Sequence, residues 1–542
     1  MTTASSRGKD VDMPAERTSV LIAGGSMVGL SAALFLARQG IDTLLVERHE
    51  NISQHPRAQA TSPRTMELLR PLGLEPEVRA AETPNARYGN ILQVESLAGA
   101  ERGWFDGPFR TEQNGVSATG WTLIGQDRLE PILAKHAVAA GADLRFGTEL
   151  LSCQQDSDGV DAVLRNPDGT ETTVRADYLI AADGNRSAIR TNLGIGTHGR
   201  DVFGRQMIIL FRADLTEHVA GREFFLCFVS NSEVHGVLGQ LGATDADRWC
   251  LALSLQPGER HESYTPERCA ELIRSAVGNP DIAVTVDNVD SWEIAARVAD
   301  RFRDRRIFLA GDSAHIMPPT GGFGGNFGVQ DAHNLAWKLA MVLKGAAGPD
   351  LLDTYERERL PLADVVAEQG VIRYLQRSGL DEAAAARHRP ESTVLFGHNY
   401  SAADAELDVL LEDPTEPSAR PGTRAPDLTL RRDDEEISVH DLMLGGFVLL
   451  AADGRWREAA STATARTGVD IDAKILGSDV QPAGDTSFTD RYQVGDQGAV
   501  LIRPDGFIAW RSADLPADPA GTLTSELRRT LWRVTEPESA LR

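Results

Sequence analysis

The stretch that decides the fold is Thr18–Glu47, TSVLIAGGSMVGLSAALFLARQGIDTLLVE. Ser19–Ala23 is a short, apolar, β-branched run suited to a buried parallel strand. Gly24 and Gly25 open a tight turn. Met27–Gln39 is apolar nearly all round, which predicts a buried helix with Gly40 at its C-cap. Thr43–Val46 is a second strand, ended by Glu47. A helix N-terminus behind a glycine turn is suited to a pyrophosphate. An acid about 20 positions on suits a ribose hydroxyl, and Glu47 stands 18 residues after Gly29. The usual G-x-G-x-x-G reads Gly24-Gly25-Ser26-Met27-Val28-Gly29, with serine at the middle glycine. This is a dinucleotide-binding unit with one departure from the pattern.

Two later stretches carry the same kind of signal. In Tyr178–Arg190, YLIAADGNRSAIR, an apolar strand runs into Asp183-Gly184 and a helix starts near Ser187. In Arg306–Leu343 a buried strand, Ile307–Ala310, ends at Gly311-Asp312, and Pro318-Pro319 fixes a turn. Gly321, Gly322, Gly324 and Gly325 then form a flexible stretch poor in side chains, with a long helix expected over Gln330–Leu343. Glycine at this density serves no packing purpose. Backbone amides at such a helix start can face a ring carbonyl or a phosphate. His315, after the Gly-Asp turn, reads as structural.

Between these signals the chain is less informative. Pro56 and Pro63 mark turns around Arg57, and a helix starts at Arg64. Gln126 sits just before an amphipathic helix that begins near Asp127. Trp104, Phe105, Phe109 and Trp121 belong either to a core or to the lining of an apolar pocket. Residues 196–290 alternate strand-like runs, which predicts an antiparallel sheet with a helix at Pro266–Val277. Pro414–Asp427 reads as a linker. Beyond it Phe447–Ala451 and Ala499–Ile502 are buried strands, Arg503-Pro504-Asp505-Gly506 is a turn, and a helix closes over Leu523–Thr535.

Composition narrows the class. The chain has 542 residues, 42% hydrophobic and 25% charged, with a net charge of -24, so it is globular and long enough for several domains. It has no Lys/Arg-rich run, which argues against nucleic acid or an anionic membrane as partner. Cys153, Cys227, Cys250 and Cys269 have no C-x-x-C spacing. They read as free thiols in a reducing cytoplasm. No signal peptide and no H-E-x-x-H or comparable metal cluster is expected.

The three glycine signals in this order resemble the FAD-dependent aromatic hydroxylases, the single-component flavoprotein monooxygenases, and within them the polyketide hydroxylases of antibiotic pathways. The resemblance implies an α/β fold: a Rossmann-like FAD-binding domain, an inserted antiparallel-sheet substrate domain and a C-terminal thioredoxin-like domain. The expected bounds are a tail over 1–17, the FAD-binding domain over 18–195 and 290–400, the substrate domain over 196–289 with parts of 81–120, a linker over 401–425 and the thioredoxin-like domain over 426–535. None of the cysteines falls in that last unit, so a redox role is excluded there and a structural or dimerising one remains.

Residue by residue, the resemblance implies that Gly24, Gly25, Ser26, Met27, Val28 and Gly29 shape the pyrophosphate turn. Glu47, with Arg48 beside it, would bind the adenosine ribose. Arg57 would lie near the pyrophosphate and Gln126 near the ribityl chain. Asp183 and Gly184 would meet both FAD and the reduced nicotinamide, and Gly311 and Asp312 the ribityl hydroxyls. Pro319 and the run Gly321, Gly322, Gly324, Gly325 and Asn326 would lie along the flavin ring, with backbone amides stabilising its negative charge. Arg373 and Arg377 are either pocket residues that lower a phenol pKa or solvated helix arginines; Arg377 is the catalytic candidate.

The implied reaction takes hydride from NADPH or NADH and transfers one oxygen atom of O2, through a flavin C4a-hydroperoxide, to an aromatic polyketide. A Baeyer–Villiger or ring-rearranging oxygenase on the same scaffold and a non-catalytic FAD-binding protein are the alternatives. The enzyme is expected to be a monomer or homodimer.

Overall fold

The computed structural model describes residues 16–52, 58–83, 89–105, 115–222, 224–241, 247–256, 258–377, 386–402, 407–484 and 486–532. Its first sheet is built on Glu16–Ala23, three residues longer at the front than the apolar run Ser19–Ala23. This strand pairs in parallel with Thr43–Glu47 on one side and Glu171–Ala181 on the other. Asp143–Phe146 and Ile307–Leu309 extend the parallel sheet at its two ends. The register brings Ala23, Ala181 and Leu309 level with one another. Three neighbouring parallel strands therefore end together, and the three glycine turns leave from that one edge.

The opening helix, Met27–Arg38, is buried along nearly its whole length. The helix Phe323–Leu343 packs beside it, and both lie in one core with the sheet. A helix buried on all sides carries no amphipathic stripe, which is why the apolar run at Met27 is readable as interior.

The second sheet has eight strands. Its centre is a pair of long antiparallel strands, Thr197–Arg212 and Thr285–Ala299. Arg248–Ser254, His235–Gln240 and Leu226–Ser230 follow as an antiparallel meander. Leu226–Ser230 then pairs in parallel with Ile91–Val94, so the 81–120 region contributes strands here. The helix Pro266–Val277 covers one face of the sheet with its own apolar core. The strand Thr285–Ala299 runs across residue 290. Its polar first half, TVDNVDS, hides it from pattern reading.

The C-terminal unit holds a four-stranded sheet. Phe447–Ala451 lies between parallel Ile471–Ile475 and antiparallel Ala499–Ile502, and Ile508–Ser512 completes it. This is a thioredoxin-like arrangement. Its closing helix is Pro519–Thr530, earlier than expected because Asp518 caps it and Pro519 starts it. The connecting stretch before this unit is packed: Ala419, Thr423, Arg424 and Ala425 are all buried. Among the described residues no helix is long and apolar enough to cross a membrane.

Candidate cofactor and substrate site

In an open parallel sheet, ligands bind beyond the carboxyl ends of the strands. All three glycine turns meet there. At the first, Gly24 has φ 113° and a Cβ on it would stand 2.2 Å from the Ala182 carbonyl oxygen. A Cβ on Gly29 would stand 1.9 Å from the Gly24 carbonyl oxygen. These positions admit only glycine, because the neighbouring strand end at Ala182 presses on Gly24 and the helix closes onto the turn at Gly29. The Gly25 amide donates to Glu47 Oε2 at 2.7 Å, so the acid is tied to the turn. Ser26 is the N-cap of the opening helix; its side chain makes no capping bond and is exposed, as is Arg48. Met27 and Val28 are buried beneath.

Sequence reading missed a second acid here. Glu130, 1% exposed, accepts from the Met27 amide at 2.8 Å and from Gln126 Nε2 at 2.6 Å. Its signal was weak, since one glutamate in an amphipathic helix usually faces water. Gln126 is the first residue of that helix rather than a residue ahead of it, because Gly125 is the N-cap.

At the second turn, Asp183 Oδ2 accepts from the Ile189 amide at 3.2 Å, while Oδ1 is buried and has no hydrogen-bond partner among the described residues. Burial pushes this carboxyl above its usual range. Gly184 follows with φ 83°. At the third turn, Gly311 has φ 62° and a Cβ would meet Val28 Cγ2 at 2.8 Å, so the first and third turns touch. Asp312 is exposed.

The third turn is held from behind by Asp331. Its Oδ2 accepts from the Gly311 amide at 3.1 Å and from His315 Nε2 at 2.6 Å, and its Oδ1 from Arg359 Nε at 2.7 Å. Burial alone would raise the Asp331 pKa, but His315 and Arg359 bring it below the usual range. His315 is thus structural. Asp331 and Arg359 were not singled out; an acid inside an otherwise buried helix was the available signal.

The glycine run corrects one expectation. The helix does not wait for Gln330: it begins at Phe323, with Gly322 as N-cap at φ 64°. Gly324, Gly325 and Asn326 are its first turn rather than a flexible stretch. Small residues are needed because the helix abuts the opening turn: a Cβ on Gly325 would meet Met27 Cε at 2.5 Å, and one on Gly328 the Val28 Cγ2 at 2.6 Å. Packing therefore explains part of the glycine content. Gly321, at φ 92°, and exposed Pro319 precede the cap.

Asn326 is buried, and both ends of its amide are used. Oδ1 accepts from the Ser62 amide and from Thr65 Oγ1, each at 2.8 Å, while Nδ2 donates to the Gly322 carbonyl at 2.7 Å and to the Ala60 carbonyl at 3.1 Å.

Arg57 and Phe109 lie outside the described residues, and the Arg377 side chain does too. Arg373 is not a solvated helix arginine. It is 8% exposed, stands over the Phe323 ring at 5.0 Å and donates to the Gln369 and Arg389 carbonyls. Trp121 is in the core, whereas Trp104 is 44% exposed.

The second sheet turns a half-buried face away from its covering helix. Across neighbouring strands Gln93, Phe228, Val237, Ala252, Ile208 and Asp290 stand in register. None of the six is fully buried. The row is apolar in the middle and polar at both ends. On the same side of the Thr197–Arg212 strand, a Cβ on Gly204 would meet the Tyr374 hydroxyl at 3.0 Å, which turns this face toward the helix Asp353–Arg377.

Residues 17–370 match the family model described as the FAD binding domain, and residues 418–533 match the aromatic-ring hydroxylase C-terminal domain. The chain belongs to the FAD-binding aromatic-ring hydroxylases. It is 44% identical, over 97% of its length and 98% of the relative's, to 4-methyl-5-nitrocatechol 5-monooxygenase of Burkholderia sp.. It is 41% identical to tetracenomycin A2 monooxygenase-dioxygenase of Streptomyces glaucescens, over 96% of this chain and 98% of that one. A crystal structure of aklavinone-11 hydroxylase with FAD and aklavinone superposes with a TM-score of 0.87, at 39% identity, covering 96% of this chain and 100% of that one.

This hydroxylase uses FAD, and its own residues fit that group. At the first and third turns added Cβ atoms would collide with backbone or neighbouring side chains, whereas Gly184 at the second turn has open space around it and is set by its φ of 83°. Among the described residues, Asp183 Oδ1 has no hydrogen-bond partner and keeps acceptor capacity. The N-cap residues Ser26 and Gly322 make no side-chain cap bond of their own; at the Ser26 start Glu130 takes the Met27 amide, and the polarity of the Gly322 start is available to a ligand.

Proposed function

We propose that the hydroxylase inserts one oxygen atom of O2 into a phenolic polycyclic substrate of the aromatic polyketide class, with NADPH or NADH as reductant. The observation that carries the substrate class is the in-register row on the second sheet. Phe228, Val237, Ala252 and Ile208 span three strand spacings of about 4.8 Å each, an apolar strip longer than one ring needs. Gln93 and Asp290 at its ends suit polar substituents. The name of the tetracenomycin relative supports this class. The nitrocatechol relative favours a second reading, a single-ring phenol.

In this reading Gly24, Gly25, Ser26 and Gly29 bind the pyrophosphate, Glu47 the ribose, and Gln126 and Asp312 the ribityl chain. Asp183 offers its free oxygen to a donor on the cofactor or nicotinamide. Gly321–Asn326 lies along the flavin. FAD, when bound, supplies the redox chemistry and O2 activation. The chain's task is to orient the phenol, exclude water and stabilise developing charge with the amides of the Phe323 helix start. We assign FAD binding to 18–195 and 290–400, substrate binding to 196–289 with parts of 81–120, and the thioredoxin-like domain to 426–535 after a 401–425 connection. The free thiols support a cytoplasmic enzyme.

Stopped-flow bleaching of the flavin by NADPH tests this reading. Reduction should accelerate at least ten-fold when a tetracyclic phenol is present. Equal acceleration by a nitrocatechol alone would favour the single-ring reading, and no acceleration by either would favour a non-catalytic FAD-binding protein.

A further inference from the structure

The C-terminal unit packs on the FAD-binding unit at several places, among them the Trp337–Phe447 ring pair and the Arg70–Asp441 ion pair, and one of these places is a tight turn, Arg503-Pro504-Asp505-Gly506. Three helices of the first unit hold it. The Asp505 carbonyl accepts from Arg64 Nη2 at 2.7 Å, on the short helix Pro63–Leu69. The Asp505 carboxylate accepts from Trp337 Nε1 at 3.1 Å and Asn334 Nδ2 at 3.3 Å. Arg503 holds Glu358 through two bonds at 2.7 and 2.9 Å. Arg64 also donates to Glu67 at 2.9 Å, and Glu67 accepts from Arg424 on the connecting stretch. Arg64, Glu67, Arg424 and Asp505 are all buried.

Buried ion pairs contribute little net stability compared with well-packed apolar residues of the same volume. They do fix direction and register, because each bond has a required geometry. What they fix here is the short helix. Ser62 caps it, and both the Ser62 amide and Thr65 Oγ1 donate to Asn326. Asn326 in turn holds the carbonyl of Gly322, the left-handed cap of the glycine helix. An unbroken line of bonds and one helical turn thus joins Asp505 to Gly322.

We propose that the C-terminal unit is a positioning device for the flavin-facing loop: the Arg503–Gly506 turn sets Arg64, the short helix sets Asn326, and Asn326 sets Gly322. This rests on the reading that Gly321–Asn326 lies along the flavin. Arg64 and Asn326 are positioning residues in this scheme, and the thioredoxin-like fold needs no cysteine for it.

The test uses the full-length chain stripped of FAD, with two readouts: the FAD dissociation constant from flavin fluorescence, and amide hydrogen exchange at residues 319–328 before FAD is added. Arg64→Met should weaken FAD about ten-fold and speed exchange in that segment. Thr65→Val, a milder change that loses one bond to Asn326, should weaken FAD about three- to ten-fold. Asn326→Ala should do at least as much as Arg64→Met, and the double variant should be no weaker than Asn326→Ala alone. Ile437→Ala, within the C-terminal core only, should lower Tm yet leave FAD affinity within about two-fold. An Asn326→Ala variant with unchanged affinity would overturn the placement of the flavin loop itself. Weakened Asn326→Ala with unchanged Arg64→Met and Thr65→Val would overturn the coupling, and so would losses that multiply in the double variant. If Arg64→Met does not fold, Thr65→Val carries the decision.

Discussion

The Gly25 amide donates to the Glu47 carboxylate over 2.7 Å, and a Cβ on Gly25 would stand 2.7 Å from Glu47 Cβ. Turn and acid are therefore one object: the group expected to hold the ribose cannot move without the group expected to hold the pyrophosphate. Gly25→Ala should displace Glu47 and weaken FAD at least ten-fold. Glu47→Ala should weaken it by a similar factor with a smaller loss of Tm. Titration of the FAD-free protein with FAD checks both, and unchanged affinity in Gly25→Ala would contradict the coupling.

Ser26 is exposed at the N-cap of the opening helix, without a capping bond of its own. Its hydroxyl is available to a phosphate oxygen. Ser26→Gly should keep FAD bound, whereas Ser26→Val should lose it by crowding the pyrophosphate. FAD occupancy after purification separates the two, and full occupancy in Ser26→Val would refute the close approach.

Much of this site was legible in the sequence, for a physical reason. A buried parallel strand reads as an apolar run, and a turn that must touch a helix reads as glycine. The Thr18–Glu47 unit, Asp183-Gly184 and Gly311-Asp312 all have that form. What escaped reading depends on pairing across the chain. Glu130, Asp331 and Arg359 are charged residues buried by partners far away in sequence, and solvation stayed open as an alternative for Arg373 for the same reason. The helix start at Phe323 escaped because four glycines suggest a loop unless the neighbouring helix that demands them is known. The polar half of the Thr285–Ala299 strand has no alternation to read.

Ala252 sits between Val237 and Ile208 in the half-buried row. If that row is the substrate wall, Ala252→Phe should raise KM for a tetracyclic phenol about ten-fold or more and leave FAD affinity unchanged. A single-ring phenol should be turned over as before. An unchanged KM for the tetracyclic substrate would remove the row from the substrate site.

Two buried histidines, His398 and His440, and the half-buried His333 make the fold acid-sensitive. Burial pushes His333 down to about 4, and His398 and His440 down to about 3. In the unfolded chain each takes up a proton near pH 6.5. As pH falls from 6.5 toward 4, the unfolded state gains protons that the folded state does not, so stability is lost. His333 alone accounts for roughly 3 kcal/mol by pH 4. Burial would raise the Glu67 pKa, but Arg424, His440 and Arg64 hold it at about 2. Its contribution is present above pH 4.5 and is lost as pH falls toward 2. Tm should therefore drop steadily below pH 6.5, and His333→Gln should flatten the part between 6.5 and 4. A Tm that is constant from pH 7 to 5 would contradict the buried neutral state.

Transfer of one atom of O2 to an aromatic ring can be followed with isotope. The purified protein, yellow with flavin absorbance, should oxidise NADPH in the presence of a phenolic polycycle under 18O2. The product should gain a single heavy oxygen as a ring hydroxyl, by mass and NMR. Oxygen inserted into a ring C–C bond to give a lactone would instead identify a Baeyer–Villiger enzyme. A colourless protein that cannot take up added FAD, or NADPH oxidation that yields no labelled product with any phenol, would rule out aromatic hydroxylation.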